Sequence, residues 1–303
     1  MPMRGIPARY HELKRDADIV TVFEAVGKHA NCLISDKELI DIEQHSIPGE
    51  GSCGGMYTAN TMSSAFEALG MSLPYSSTMA NPHDEKQNSA YESGKAVIEA
   101  IRLNIRPTDL VTRKSIENAV AVIMATGGST NHLIHWVAIA RSAGILIDWT
   151  DFDELSSAVP LLARVYPNGD ADVNQFQAAG GPAWILRELL AGGFMHADVM
   201  SVNAGGIAAG GQDAPAQSGD ESVLRPVSNP FSPTGGLRLL QGRLGRAVIK
   251  VSAVPEDRHI IEAPARVFDS QEALLTAFSA GEVNQDMVAV VRFQGPQANG
   301  MPE

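Results

Sequence analysis

The hydrophobic pattern of this 303-residue chain changes at a small, glycine-rich stretch, residues 205–220. Before it, apolar residues recur mainly at helical spacing, whereas residues 246–254, 265–268 and 287–293 have the period of two that is typical of strands. The glycines do not follow a strand in a phosphate-binding arrangement, so a flexible linker is predicted over residues 205–221. We therefore expect a mixed α/β domain over residues 1–204 and a mostly β domain over residues 222–303.

Helices are predicted from apolar spacing and capping residues. In the first domain they cover two segments within 18–47, the second opened by the capping box Ser35 and Glu38, then 58–70, 84–102, a buried helix over 114–125, and 133–143. In the second domain one helix covers 269–280, opened by Asp269 and Glu272. Ile19, Val22, Phe23 and Val26 form an apolar stripe on the first helix. On the helix over 84–102 we expect Ala90, Val97, Ile98 and Ile101 to face inward.

Cys53 is the strongest candidate for chemistry, since it lies between glycines and just before the helix that begins near Thr58. The unpaired N–H groups and the dipole of a helix N-terminus favour a thiolate, the form that binds metals or attacks electrophiles. The alternative is a small buried cysteine in a glycine-rich turn. Cys32 has no partner at metal-ligand spacing and is predicted to be structural, so a limiting alkylating reagent should label Cys53 first.

The sequence TGGSTN, residues 126–131, separates two apolar helices. Backbone amides and small polar side chains at a helix N-terminus form a natural site for a carboxylate or phosphate. The alternative is an ordinary helix-to-helix turn with N-capping. His132 and His135 follow at a spacing that could hold a metal, but no third ligand is nearby in sequence, so a capping or core role is favoured for both.

Composition narrows the function classes. The formal charge of −12 argues against nucleic acid or an anionic membrane as partner, and an acidic substrate would need locally placed cations. No apolar run is long enough to span a bilayer, and the N-terminus lacks the apolar core of a signal peptide. With two cysteines a disulfide framework is not indicated, so we expect a cytoplasmic protein.

The segment around Cys53, GSCGGMYTANTMSSAFEALGMSLPYSSTMANP, resembles the third cluster-cysteine segment of the dihydroxy-acid dehydratase and 6-phosphogluconate dehydratase family of iron–sulfur enzymes. The resemblance covers nearly the whole chain. Residues 18–131 are most similar to dihydroxy-acid dehydratase, and residues 131–303, ending in GPQANGMPE, to 6-phosphogluconate dehydratase; both share GGSTN. It implies an α/β cluster domain followed by an incomplete β-barrel similar to the swivelling domain of aconitase.

The resemblance also implies site residues. Cys53 would be a ligand of an iron–sulfur cluster, 4Fe-4S or 2Fe-2S, Glu303 would bind Mg²⁺, and the loop residues Gly128, Ser129, Thr130 and Asn131 would lie close to the substrate. The family's two earlier cluster cysteines, its Asp-Lys pair and its catalytic serine have no match here, so no catalytic residue is assigned. We expect an internal portion of a roughly twice-longer enzyme that is inactive alone and that works as a homo-oligomer.

The implied reaction is dehydration of a small 2,3-dihydroxy acid to a 2-keto acid. We expect 6-phosphogluconate, a sugar acid of the Entner–Doudoroff pathway, as the substrate, because the match of the second half is longer and reaches Glu303. One alternative is a dihydroxy-acid dehydratase of branched-chain amino-acid synthesis. An alternative of another class is a non-catalytic remnant or scaffold that binds no cluster.

Overall fold

The structure, a computed structural model, describes residues 8–10, 15–51, 53–203 and 205–300. The chain has the expected mixed α/β character and forms two compact units, Met1–Ala253 and Val254–Glu303. Among the described residues, no helix is both long and apolar enough to cross a membrane.

The first unit is mainly helical. Its helices are α1 Ile19–Ala30, α2 Asp36–Ser46, α3 Thr58–Leu69, α4 Asp84–Arg102, α5 Pro107–Leu110, α6 Arg113–Thr126, α7 His132–Ser142, α8 Trp149–Ala158, α9 Val173–Ala179 and α10 Gly181–Ala191. Its strands are β1 Ala8–Tyr10, β2 Arg15–Ala17, β3 Leu237–Gly242 and β4 Gly245–Lys250. The second unit contains β5 Ala265–Phe268, α11 Gln271–Ser279, β6 Val288–Val291 and α12 Pro296–Asn299.

Helix α6 lies at the centre of the main core. Eleven of its residues are buried, from Ser115 to Thr126 with Glu117 excepted, which confirms the buried helix predicted over 114–125. It packs against α3, α8 and α10, and large side chains such as Trp136, Phe152 and Trp184 fill the space around it. Burial of this apolar surface is the main stabilising contribution to the unit.

The strands pair two by two. β1 with β2 and β3 with β4 are antiparallel, and β5 with β6 is parallel. The hairpin of β3 and β4 is fixed to α8, because Ser156 donates a hydrogen bond to the Leu237 carbonyl and Leu239 N–H donates one to Asp153. In the part of the chain that the structure describes these sheets do not close, so the implied β-barrel is not seen.

The apolar stripe of α4 faces solvent instead of the core, so its predicted orientation is wrong, and the stripe of α1 is only partly buried. In α1, Phe23 is 67% exposed, and in α4, Ile101 is 70% exposed. Val26, Val97 and Ile98, which also belong to these stripes, are at least half exposed. The buried residues of the two helices are instead Thr21 and Ala25 in α1 and Lys86 and Ser89 in α4. Periodicity identifies an amphipathic helix, but which face finds a partner is set by tertiary packing.

The capping predictions are confirmed for α2 and off by one for α11. Ser35 N–H donates to Glu38 at 2.7 Å and Glu38 N–H donates to the Ser35 hydroxyl at 3.3 Å. In α11 the N-cap is Ser270, which accepts a hydrogen bond from Ala273 N–H, because the chain enters the helix one residue later than expected.

The segment predicted as a flexible linker is packed onto the first unit. It contains a 3-10 helix, Ile207–Gly211, whose Ile207 is buried in the main core. Further on, the Arg187 guanidinium of α10 donates hydrogen bonds to the carbonyls of Ala214 and Pro215. A domain boundary at 205–221 stays a prediction.

Candidate active site

The turn that carries Cys53 is held by the helix that follows it. Asn60, in the first turn of α3, donates from its amide to the Cys53 carbonyl at 3.1 Å and to the Gly55 carbonyl at 2.7 Å. Gly55 N–H donates to Cys53 Sγ at 3.2 Å. A hydrogen bond from a backbone amide to sulfur is the kind of contact that supports thiolate ligands of metal clusters.

Close packing around this turn also explains why glycine occupies positions 54 and 55. Met56 N–H donates to the Tyr166 carbonyl and Val173 N–H donates to the Gly54 carbonyl, so the turn docks on the segment before α9. A β-carbon at position 54 would lie 3.3 Å from the Asp172 carboxylate. One at position 55 would lie 2.5 Å from the Tyr57 ring, which no real β-carbon tolerates.

The predicted low pKa of Cys53 is wrong. The thiol is half-buried, and this burial raises its pKa above the ordinary value, while the hydrogen bond from Gly55 lowers it less and the charge of Asp18 raises it further. Cys32 is exposed, which contradicts a structural role in a core. It sits in a left-handed turn after α1, with φ of 57°, that leaves its side chain in solvent.

The GGSTN loop lies beside the first turn of α3. Gly127 ends α6 in the left-handed conformation, and Gly128 N–H donates to the Ile123 carbonyl at 2.9 Å. A β-carbon at position 128 would lie 2.3 Å from the Thr61 methyl group, so only glycine allows this approach. The structure therefore brings the loop and the Cys53 turn to the same end of α3.

Several polar groups of the loop are already engaged. Ser129 N–H donates to the Thr61 hydroxyl at 3.3 Å, and the Asn131 amide donates to the Thr58 hydroxyl at 2.7 Å. Asn131 N–H donates to the Ser129 hydroxyl at 3.2 Å, whereas Thr130 is exposed. Part of the loop thus serves as a helix-to-helix turn, and its contact with substrate stays a prediction.

Asn168 connects the loop to the β3–β4 hairpin, a link that the sequence analysis missed. Its amide donates to the Gly127 carbonyl at 2.6 Å and to the Thr126 carbonyl at 3.3 Å, while its carbonyl accepts from the Ser252 hydroxyl at 2.7 Å. In sequence, Asn168 belongs to the turn YPNGD, and nothing in that turn indicates that its side chain bonds to Gly127 or to Ser252.

His132 is buried at the start of α7. Its Nδ1 donates to the Ser129 carbonyl at 2.9 Å, and burial lowers its pKa to about 4. Of the two predicted roles this is the core role, since the N-cap of α7 is Asn131. Its Nε2 is buried without a hydrogen-bond partner in the described chain. His135 lies against it edge to face, but no group of three or more His, Cys, Asp or Glu among the described residues could hold a metal.

Lys250, at the end of β4, is the other residue that the sequence did not single out. It is half-buried, and desolvation lowers its pKa to about 8. Its positive charge also acts on His132, where it helps to lower the pKa of the imidazole. The only sequence signal was general: an acidic protein that binds an acidic substrate needs a local cation.

The residues present fit a metal cluster incompletely. Cys53 offers one thiol in a turn with an N–H···S contact, but a cluster needs several ligands, and the described residues do not assemble them. Glu303, the predicted magnesium ligand, lies outside the described residues.

Comparison with known proteins identifies the relatives of the chain. The profile of the dihydroxy-acid/6-phosphogluconate dehydratase N-terminal domain matches residues 2–210, and that of the C-terminal domain matches residues 222–303. A dihydroxy-acid dehydratase of Polaromonas sp. is 50% identical over 295 residues, which is 95% of this chain and 52% of the relative. Those of Verminephrobacter eiseniae and a Synechococcus species are 48% and 46% identical, each covering 97% of this chain and 52% of the relative.

The chain spans about half the length of the curated relatives it matches. The two profiles together match it from residue 2 to residue 303, interrupted only between 210 and 222. The chain therefore belongs to the dihydroxy-acid/6-phosphogluconate dehydratase family.

Proposed function

We propose that the chain is part of a dehydratase that converts a branched-chain 2,3-dihydroxy acid to a 2-keto acid. The observation that carries the proposal is the meeting of the Cys53 turn and the GGSTN loop at the N-terminal end of α3, through Asn60, Thr58 and Thr61. It places a thiol and a loop with the features of an anion site on one helix end, within a chain that belongs to this family.

The names of the relatives favour a dihydroxy-acid substrate over 6-phosphogluconate, which was the sequence-based expectation. The alignments with dihydroxy-acid dehydratases extend over 295 to 297 residues, so they include the second half that had indicated the sugar acid. Short motif likenesses in that half carry less weight than identity over the full chain.

For the cofactors, we propose Cys53 as one ligand of an iron–sulfur cluster and Glu303 as a ligand of Mg²⁺. A cluster iron with an open position acts as a Lewis acid on a hydroxyl leaving group. What this chain itself contributes is a thiol and a loop that are both hydrogen-bonded to the first turn of α3.

For the second unit, we propose that its strands belong to an aconitase-like swivelling β-barrel. The parallel pairing of β5 with β6 across α11 supports this, since such a unit leaves both outer strand edges available for further pairing.

The test is reconstitution of the protein with iron and sulfide under anaerobic conditions. Because the described residues supply one cluster thiolate, we expect iron and sulfur-to-iron absorbance below one cluster per chain in the wild type and in Cys32→Ala, and their loss in Cys53→Ala. Equal iron content in Cys53→Ala and Cys32→Ala would contradict the assignment of Cys53. For the substrate, tighter binding or faster turnover of 6-phosphogluconate than of 2,3-dihydroxyisovalerate would reverse the choice.

A further inference from the structure

Lys250 lacks a counter-charge in an acidic protein. The chain has 35 Asp and Glu residues, yet among the described residues none pairs with the Lys250 ammonium, and desolvation alone acts on it. A half-buried ammonium without an anion is energetically costly, and a ligand that supplies the negative charge would offset that cost.

The position of Lys250 is fixed by the strand and by the residues that follow. Alternate residues of a strand share a face, and Val248 packs against the main core, so Lys250 lies on the same inward side of β4. Two residues later, Ser252 is tied to Asn168, which is tied to Gly127. The end of β4 is therefore anchored to the GGSTN loop through Asn168.

His132 supplies a complementary group at this loop. A carbonyl oxygen can only accept a hydrogen bond, so the contact with Ser129 places the proton on Nδ1 and leaves Nε2 as an acceptor. That acceptor is buried and has no partner within the described chain, and its ring is bonded to the same loop that Asn168 joins to the end of β4. A buried acceptor normally finds a donor, and a substrate hydroxyl is one.

We propose that Lys250 binds the carboxylate of the dihydroxy-acid substrate beside the GGSTN loop, and that His132 Nε2 accepts a hydrogen bond from one of its hydroxyl groups. The inference rests on the proposed function and adds to it the two side chains that recognise the acid. Asn168 is the positioning residue, because it holds both the loop and the strand end that carries Lys250.

The first test compares 2,3-dihydroxyisovalerate with its neutral amide, by calorimetry or ligand-observed NMR on the full chain. Loss of one charge-assisted contact should weaken binding of the acid to Lys250→Met by about tenfold to a hundredfold. Binding of the amide should change by less than about twofold, since it offers no charge to Lys250. Lys250→Arg should keep most of the affinity, and Lys37→Met, at an exposed lysine, should bind like wild type.

Three outcomes would overturn the inference. The first is unchanged binding of the acid to Lys250→Met. The second is an equal loss of affinity for the acid and the amide in that variant, which would indicate a purely structural lysine. The third is failure of the wild type to bind the acid. Failure of the cluster test on Cys53→Ala would instead contradict the proposed function, so the two are distinguishable.

A second measurement needs no variant. An amine-reactive reagent applied at pH 8 should modify Lys250, and 2,3-dihydroxyisovalerate should protect it, as read by peptide mass spectrometry, while the amide should not. Inorganic phosphate is the third probe. Protection by phosphate equal to that by the acid would show a general anion site and would contradict recognition through His132. Labelling of Lys250 that the acid leaves unchanged would overturn the proposal directly.

Discussion

The Ser252 hydroxyl donates a hydrogen bond of 2.7 Å to the Asn168 side chain, although the two residues are 84 positions apart in sequence. Because Asn168 also donates to the Gly127 carbonyl, this contact connects the loop at the end of α6 to the strand end that carries Lys250. One side-chain amide thus bridges two distant segments of the candidate site.

Asn168→Ala should loosen both segments. The substitution leaves the Gly127 carbonyl and the Ser252 hydroxyl without their partner, so the free energy of unfolding should fall by about 1–3 kcal/mol. Binding of 2,3-dihydroxyisovalerate should weaken as well. Urea unfolding measures the first effect, and Asn88→Ala, at an exposed asparagine of α4, is the control that should change neither. Wild-type stability and affinity in Asn168→Ala would contradict the bridging role.

Gly128→Ala should destabilise the protein, because the new β-carbon would lie 2.3 Å from the Thr61 methyl group. Overpacking of this kind costs roughly 1–3 kcal/mol. The matched control is Gly94→Ala in α4, where a β-carbon meets nothing within 4 Å. That change should stabilise the helix by roughly 0.5–1 kcal/mol. Thermal unfolding compares the two, and effects of the same sign and size would show that the close approach at position 128 is not needed.

Glu67 gives the stability a defined pH dependence. The carboxyl group is fully buried in α3, and burial raises its pKa from 4.5 to about 7, although it accepts hydrogen bonds from Tyr75 N–H and Ser77 N–H and feels the charge of Lys86. A raised carboxyl pKa means that the native state retains a proton that the unfolded state has lost. Stability should therefore fall as pH rises from 4.5 to 7, on the order of 3 kcal/mol in total.

Urea unfolding between pH 4.5 and pH 8 tests this, with Glu67→Gln as the comparison. The variant cannot titrate at this position, so the difference in stability between wild type and variant should change with pH in that window. Other groups, including His132, act on both proteins and cancel in the difference. A pH-independent difference would mean that Glu67 is not titrating there.

Cys32 should be alkylated before Cys53. It is exposed, whereas the Cys53 thiol is half-buried with a raised pKa and holds a hydrogen bond from Gly55 N–H. This reverses the order that the sequence predicted. A limiting amount of iodoacetamide followed by peptide mass spectrometry decides it, with Cys32→Ala showing the rate of Cys53 alone. Faster labelling of Cys53 would show that its thiolate is stabilised more than its burial allows.

The sequence predicted what local pattern controls. Helix α3, its stop at Gly70 and the buried helix α6 followed from apolar spacing and caps. Cys53 and the GGSTN loop were identified as candidates from glycines and a helix N-terminus, and the structure places them at one end of α3.

The rest depends on contacts between distant segments. The direction of the Cys53 pKa follows from burial, and the exposure of Phe23 and Ile101 follows from which helix faces find partners. Asn168 and Lys250 look like any other polar residues in sequence. Only packing shows that one bridges the loop and the hairpin and that the other lacks a counter-charge among the described residues.

The most direct test of the account is to locate the binding site of 2,3-dihydroxyisovalerate by amide NMR on the intact chain. We predict that the acid perturbs signals of residues 127–132, of the first turn of α3 and of Lys250, and that its neutral amide perturbs them less. Two results would contradict a dihydroxy-acid site at this end of α3. They are signal changes confined to other parts of the chain, and no signal change at millimolar concentrations of the acid.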